Sequence, residues 1–281
     1  MKKVFATISL ILVAVLCLAL FAGCSSGSTA KYVVLEENFG EEEYAIGFRK
    51  TDNALILKVQ EILDEMIVDG TAGEIAKKWF GEDNLLRNVE FPSAIEETGD
   101  DSLQKILDKG VLVLGLDETF PPMGYRNESG TIVGFDIDLA TEVAARLGVE
   151  LKLQPIDWNA KEMELNDGKI DMIWNGMSLT PARIEEMNMS KPYIANRQII
   201  IVNENSGIKT KADLAGKKVA AQAGSSAIDA MKADAETFAS FGQLVEFDNN
   251  NAAYLDLKAG RVDALVVDEV VGKYMISQDA E

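Results

Sequence analysis

Leu165-Asn166-Asp167-Gly168-Lys169-Ile170-Asp171 leads into Met172-Ile173-Trp174, and the same phrase returns as Leu257-Lys258-Ala259-Gly260-Arg261-Val262-Asp263 before Ala264-Leu265-Val266-Val267. Each copy reads as the end of a helix, a glycine, and a buried strand. Glycine suits the left-handed position just past a helix, where a Cβ would clash. The apolar run after it suits a parallel strand covered on both faces. The residues beyond the two strands are polar and different: Asn175-Gly176 after the first, Asp268 after the second. In open α/β sheets, ligands bind beyond the carboxyl ends of strands. Two such ends predict two α/β lobes that share one ligand.

Strands alternate with helices on either side of both copies, which sets the class as α/β. Strands are expected at 32–35 and 44–48, with an acidic turn between them at 36–43. Leu55, Val59, Ile62 and Met66 mark an amphipathic helix that ends at Asp69-Gly70. Thr71 with Glu74 three residues on reads as a capping box for the next helix. Residues 82–101 carry Asn, Pro, Gly and several acids without a period, and read as a linker. Beyond it the chain restarts with helix Ser102–Lys109 and strand Val111–Leu116.

The chain has 281 residues, 47% hydrophobic and 26% charged, enough for two modest cores. Residues 1–23 are a separate matter. Lys2-Lys3, an uncharged apolar run, then Ala22-Gly23 before Cys24 read as an export signal cleaved at Cys24, with lipid added to that cysteine. A retained anchor helix is the alternative, since the run is long enough to span a bilayer. Residues 24–30 are the expected tether. The only other cysteine, Cys17, lies in the signal, so the mature body is expected to carry no disulfide and no free thiol.

The chain has no histidine. Ser-His-Asp triads, Cys-His pairs and His-ligated zinc are therefore excluded, and neither a metal nor a cofactor is expected. The formal charge is −19, more negative still once Lys2 and Lys3 are removed. No basic patch is visible, which argues against nucleic acid as a partner.

Several stretches together resemble the family 3 substrate-binding proteins of ABC transporters, the polar amino-acid-binding type. They are Asp117-Glu118-Thr119-Phe120-Pro121-Pro122-Met123, Gly134-Phe135-Asp136-Ile137-Asp138-Leu139, Asn175-Gly176-Met177-Ser178-Leu179-Thr180-Pro181-Ala182-Arg183, Ser190-Lys191-Pro192-Tyr193 and Gly224-Ser225-Ser226. The resemblance implies a two-lobed, type II periplasmic-binding-protein fold with its ligand cleft between the lobes. The order departs from the family. A segment like 44–81 closes the chain in that family and comes early here. The resemblance therefore implies a circular permutation, with 82–101 joining the usual termini. About 20 residues reach up to ~65 Å, enough for the join. Lobe 1 is then 44–196, contiguous and containing the linker. Lobe 2 is 197–281 completed by 31–43, supplied by the same chain or by a neighbouring molecule.

A free amino acid offers a carboxylate, an ammonium and a side chain, and burying its charges requires opposite charges and hydrogen bonds. Arg183 sits where the family places its carboxylate clamp, and a guanidinium fits a carboxylate bidentately. Read alone, it is equally a surface arginine. Ser225 and Ser226 open a helix whose N–H groups suit an anion, although ordinary N-capping explains them too. Asp268 is the expected ammonium partner, with a helix N-cap as the plainer reading. By resemblance, Gly176 and Ser178 offer a carbonyl and a hydroxyl to the ammonium, and Phe120 and Trp158 sandwich the ligand, although an aromatic is generally core. Asp117 matches a position that reads the ligand's far end, and Asn175 and Gln222, with Glu162 as a further candidate, would add polarity. A polar side chain is implied, with cationic and cystine-like ligands both open.

The expected function is a lipid-anchored, extracytoplasmic monomer that captures such an amino acid and presents it to an ABC permease. It is not expected to be an enzyme. A dehydratase-like enzyme on the same fold, or a sensing module without transport, is the competing reading.

Overall fold

The structure, a computed structural model, describes residues 31–279. The expected signal 1–23, Cys24 and the tether to residue 30 lie outside the described residues. Strand β1 (Tyr32–Tyr44) is followed by β2 (Gly47–Phe48) and by helices α1 (Asn53–Val68) and α2 (Thr71–Phe80). After 82–101 come α3 (Ser102–Lys109) and β3 (Val111–Leu116). A small antiparallel sheet of β4 (Thr119–Phe120), β5 (Gly124–Arg126) and β6 (Ile132–Val133) is next. Then follow α4 (Phe135–Leu147), β7 (Glu150–Pro155), α5 (Lys161–Asn166), β8 (Met172–Ile173), α6 (Pro181–Glu186) and β9 (Asn188–Met189). The remainder is β10 (Ile194–Asn203), β11 (Lys218–Gln222), α7 (Ser226–Ala233), α8 (Ala235–Ser240), β12 (Gln243–Phe247), α9 (Asn250–Lys258), β13 (Ala264–Asp268) and α10 (Glu269–Gln278).

Two five-stranded sheets result, in the orders β7-β3-β8-β2-β9 and β1-β10-β13-β11-β12. Both copies of the repeated phrase deliver a strand beside a parallel neighbour: β8 along β3 and β13 along β11. Gly168 and Gly260 take φ of 72° and 68°, the left-handed turn expected after a helix. Strand β1 pairs with β10 of its own chain, in register from Tyr32 opposite Asn203 to Tyr44 opposite Ile194. Its start is also pinned by Tyr32, whose hydroxyl reaches Lys258 O and whose ring meets Tyr254 edge-on at 5.6 Å.

Alternation along the buried strands feeds two apolar layers. In β10, Ile199 and Ile201 join one cluster while Ile200 and Val202 join another. In β13, Leu265 and Val267 divide from Ala264 and Val266 in the same way. A sheet covered on both faces needs this period of two with apolar residues at every step. On the first sheet, Leu112 and Leu114 pack on one side and Val113 on the other, with Ile170 and Ile173.

The chain passes between the sheets twice, from β1 into β2 and from β9 into β10. The two passages lie side by side, with Tyr193 N donating to Tyr44 O and Ser190 N donating to Ile46 O, both at 2.9 Å. Two local expectations are corrected. Residues 36–43 are not a turn but the second half of β1, which bulges twice to keep its pairing. The partner strand supplies the order that five acids in eight residues withhold locally. Thr71 forms no capping box: Asp69 accepts from Thr71 N, and the Thr71 hydroxyl accepts instead from Arg146 at 3.0 Å. Among the described residues, no helix is long and apolar enough to cross a membrane.

Candidate ligand site

The tips of the two sheets close over a small, nearly filled pocket. Phe120, Trp158, Gly176, Ser178 and Arg183 line it from the first sheet's side, and Gln222, Ser225, Ser226 and Asp268 from the second. Asp117 and Asn175 stand behind this lining. Asn175 Oδ1 accepts from Asp117 N at 3.0 Å, and Asp117 Oδ2 accepts from Gln222 Nε2 at 2.7 Å, a bond between the two sheets. A larger groove lies on α1, walled by Leu63, Ile67, Leu85 and Val89, and gathers no buried charge of one sign against another.

Arg183 lies in α6, a helix started by the Thr180 side chain and Pro181. Its guanidinium is buried and donates to two carbonyls, Ser178 O at 2.8 Å and Gly224 O at 3.4 Å. No carboxylate lies within ion-pair distance of it among the described residues. Burial holds its pKa below the usual arginine value, against the pull of Glu162, Glu42, Asp268 and Asp229. Lys161, also buried, shares the Gly224 carbonyl at 3.1 Å and pairs with Glu162 at 3.0 Å. Its pKa is depressed by burial and by Arg183. Two cations thus converge on one carbonyl, and of the two only Arg183 lines the pocket.

Asp268 ends β13 at the opposite wall. It stands at the N-cap of α10 but makes no capping bond. Its Oδ1 instead accepts from the Tyr44 hydroxyl at 2.7 Å, Asn196 Nδ2 at 2.7 Å and Gln198 Nε2 at 3.0 Å. Burial, and then the nearby Glu42 carboxylate, push its carboxyl up to about 7. Ser225 likewise does not cap α7 with its side chain, whose hydroxyl donates back to Gln222 O at 2.7 Å. The N-terminus of α7 is thus without a side-chain cap, and Ser225 and Ser226 both line the pocket.

Gly176 turns the chain at the end of β8. A Cβ there would lie 2.6 Å from Phe120 Cε1, and its φ is +56°, so only glycine fits. Its N–H donates at 2.7 Å to Asp136, an acid fully buried behind the strand tip and raised to about 7 by that burial.

Five polar residues of this region escaped the sequence reading: Glu42, Tyr44, Lys161, Asn196 and Gln198. Four of them lie where the chain passes between sheets. The signal that could have found two of them is Asn196-Arg197-Gln198, three polar residues in a row within a mostly apolar strand. Among the described residues, no three acids, histidines or cysteines gather as a metal site.

A family model for bacterial extracellular solute-binding proteins, family 3, matches residues 112–246. The chain is 32% identical over 206 residues to the arginine-binding extracellular protein ArtP of Bacillus subtilis, covering 72% of this chain and 78% of that protein. It is 30% identical over 178 residues to the L-cystine-binding protein TcyJ of Escherichia coli, covering 63% of this chain and 65% of that one, just short of two-thirds of its length. A crystal structure of an ABC uptake transporter substrate-binding protein from Streptococcus pneumoniae with bound histidine superposes with a TM-score of 0.62 at 38% identity. It covers 65% of this chain and 76% of that one. The chain belongs to the family 3 bacterial extracellular solute-binding proteins, with the two-lobed type II fold of that class. Its named relatives are binding proteins, not enzymes.

Proposed function

We propose that this protein captures a free polar amino acid between its two lobes, outside the cytoplasm, and delivers it to an ABC importer. The observation that carries this reading is the opposition of Arg183, a buried guanidinium with no acidic partner among the described residues, to Asp268, a buried acid, across one small pocket. A zwitterion satisfies both at once. Its carboxylate takes Arg183 and the first amides of α7, and its ammonium takes Asp268, the Ser178 hydroxyl and the Gly176 carbonyl. Phe120 and Trp158 flank the side chain, and Gln222, fixed by Asp117 and Asn250, faces its polar end. Arginine, histidine and cystine, the ligands named for the relatives, are the first candidates.

Lobe 1 is residues 44–196 and lobe 2 is 197–281 with 31–43, a circular permutation of the family order joined through 82–101. Pairing of β1 with β10 supports completion of lobe 2 by its own chain. The two adjacent passages near Tyr44 and Ile194 serve as the hinge, and ligand contacts from both lobes favour the closed state. A lipid on Cys24 tethers the protein to the membrane, and it works as a monomer.

The test is a thermal-shift and calorimetric screen of protein beginning after Cys24 against the standard amino acids and cystine. A ligand at 100 times its Kd should raise stability by ~2.7 kcal/mol. Arg183→Ala leaves the ligand carboxylate buried and unpaired, a cost of ~3 kcal/mol or more, about a hundredfold in affinity. Near-wild-type affinity in that variant sinks the reading.

A further inference from the structure

A second carboxylate stands against the pocket's lining where the chain passes between the sheets. Glu42 sits in β1 opposite Asn196, two residues before the chain passes to the first sheet. Its Oε2 accepts the Ser178 hydroxyl at 2.6 Å and Gln198 Nε2 at 2.9 Å, and Ser226 Oγ lies 3.2 Å away. Ser178 and Ser226 belong to opposite walls of the pocket and touch each other at 3.0 Å. Glu42 is therefore bonded to both walls at the point where they meet.

Its neighbour is Asp268. Gln198 Nε2 offers hydrogens to both acids, at 2.9 Å and 3.0 Å, and Asn196 Nδ2 reaches both, at 3.4 Å and 2.7 Å. Two carboxylates this close repel unless a proton or a cation stands with them. The amides supply hydrogens but no charge, and Arg183, whose field pulls the Asp268 carboxyl down, bonds two carbonyls and neither acid. Among the described residues no cation pairs directly with either acid.

We propose that Glu42 is a second acceptor for the ligand's ammonium group, acting with Asp268, and that it makes the site select ligands by the full charge of that group. This rests on the amino-acid-binding reading above. An ammonium has three N–H donors, and Asp268, Glu42 and a pocket carbonyl or hydroxyl can take one each. The groups that face Asp268 are Glu42 and Tyr44 from β1, Asn196 and Gln198 from β10, and Arg183 from α6. Glu269, next in the chain, is engaged with Arg197 and Lys273. Burial and Glu42 together hold the Asp268 carboxyl near 7, so ligand-free Asp268 is partly protonated at neutral pH. An arriving ammonium displaces that proton. Affinity should then fall as the pH drops below about 7, because protonated Asp268 cannot accept the charge.

The test is calorimetry from pH 5.5 to 8.5 with L-arginine, L-histidine and L-cystine, on wild type, Glu42→Gln, Glu42→Asp and Arg183→Ala. Glu42→Gln should weaken binding about tenfold at pH 8. It should also move the acid limb of the pH profile lower by about one unit, since Asp268 loses its negative neighbour. Glu42→Asp should keep the wild-type limb. A shifted limb separates a charge effect from a loosened hinge. Unchanged affinity and profile in Glu42→Gln, or tighter binding from removal of a blocking group, overturns the inference about Glu42 while the Arg183→Ala result still upholds the amino-acid site. Binding of none of the probes by wild type overturns both.

Discussion

The two copies of one phrase end in strand tips that treat a buried acid in opposite ways. At the tip of β8 the acid lies behind the chain: Asp136 takes the Gly176 N–H, and the backbone itself forms the pocket wall. At the tip of β13 the acid is the wall: Asp268 faces the pocket and is held from behind by Tyr44, Asn196 and Gln198. Both carboxyls are raised to about 7, chiefly by burial. A raised carboxyl therefore does not by itself mark a binding residue. What separates the two is the company: a backbone amide with the polar edges of Tyr193 and Trp174 around Asp136, a second acid and shared amide donors beside Asp268.

That contrast is broken most directly by Asp268→Ala, which should cost a hundredfold or more in amino-acid affinity, about 3 kcal/mol. Calorimetry showing a loss of less than tenfold would remove Asp268 from the wall and make the two tips alike. Gly176→Ala comes next. The added Cβ meets Phe120 and is forced to a left-handed φ, so stability in urea should fall by about 1–3 kcal/mol. A neutral result would mean that the tip of β8 yields easily.

The smallest effect at neutral pH is expected from Asp136→Asn, which keeps an oxygen for Gly176 N. In the unfolded chain the Asp136 carboxyl titrates near its ordinary value of about 4; in the fold it does so near 7. Between those values the native state holds a proton that the unfolded state lacks, so stability falls as pH rises through that window. Asp268 contributes with the same sign. Melting temperatures from pH 4.5 to 8 should thus decline in wild type and decline less in Asp136→Asn, with ligand affinity little changed. Parallel curves for the two proteins would show that Asp136 is not the group that titrates.

Much of this was legible in the sequence. The repeated phrase announced two parallel-strand ends, and the residues beyond them do lie at one pocket. Periodicity located α1, and its apolar positions Leu55, Val59, Ile62 and Met66 are all buried. What stayed illegible depends on partners distant in the chain. Residues 36–43 look like a solvated turn until β10 offers them hydrogen bonds. Thr71 looks like a cap until Arg146, 75 residues on, takes its hydroxyl. Glu42 looked like one acid in a run of acids, and nothing local marked Lys161. Each owes its burial to elements that no local pattern can name. The Ser225 and Asp268 caps failed for a related reason, since both side chains found other partners than helix amides.

The segment 82–101 was read only as a join, yet it is anchored near both of its own ends. Asp100 and Ser102 accept from the first amides of α1, Ala54 N and Leu55 N, both at 3.0 Å. Leu85 bridges to Ile194, and Leu86 N donates to Tyr193 O at 2.9 Å, just where the chain leaves for the second sheet. In mechanical terms it splints one of the two passages that would serve as the proposed hinge. Under that proposal, loosening Leu85 or Leu86 should alter how fast the jaws part, and hence how long a captured molecule stays, with every contact to that molecule left intact.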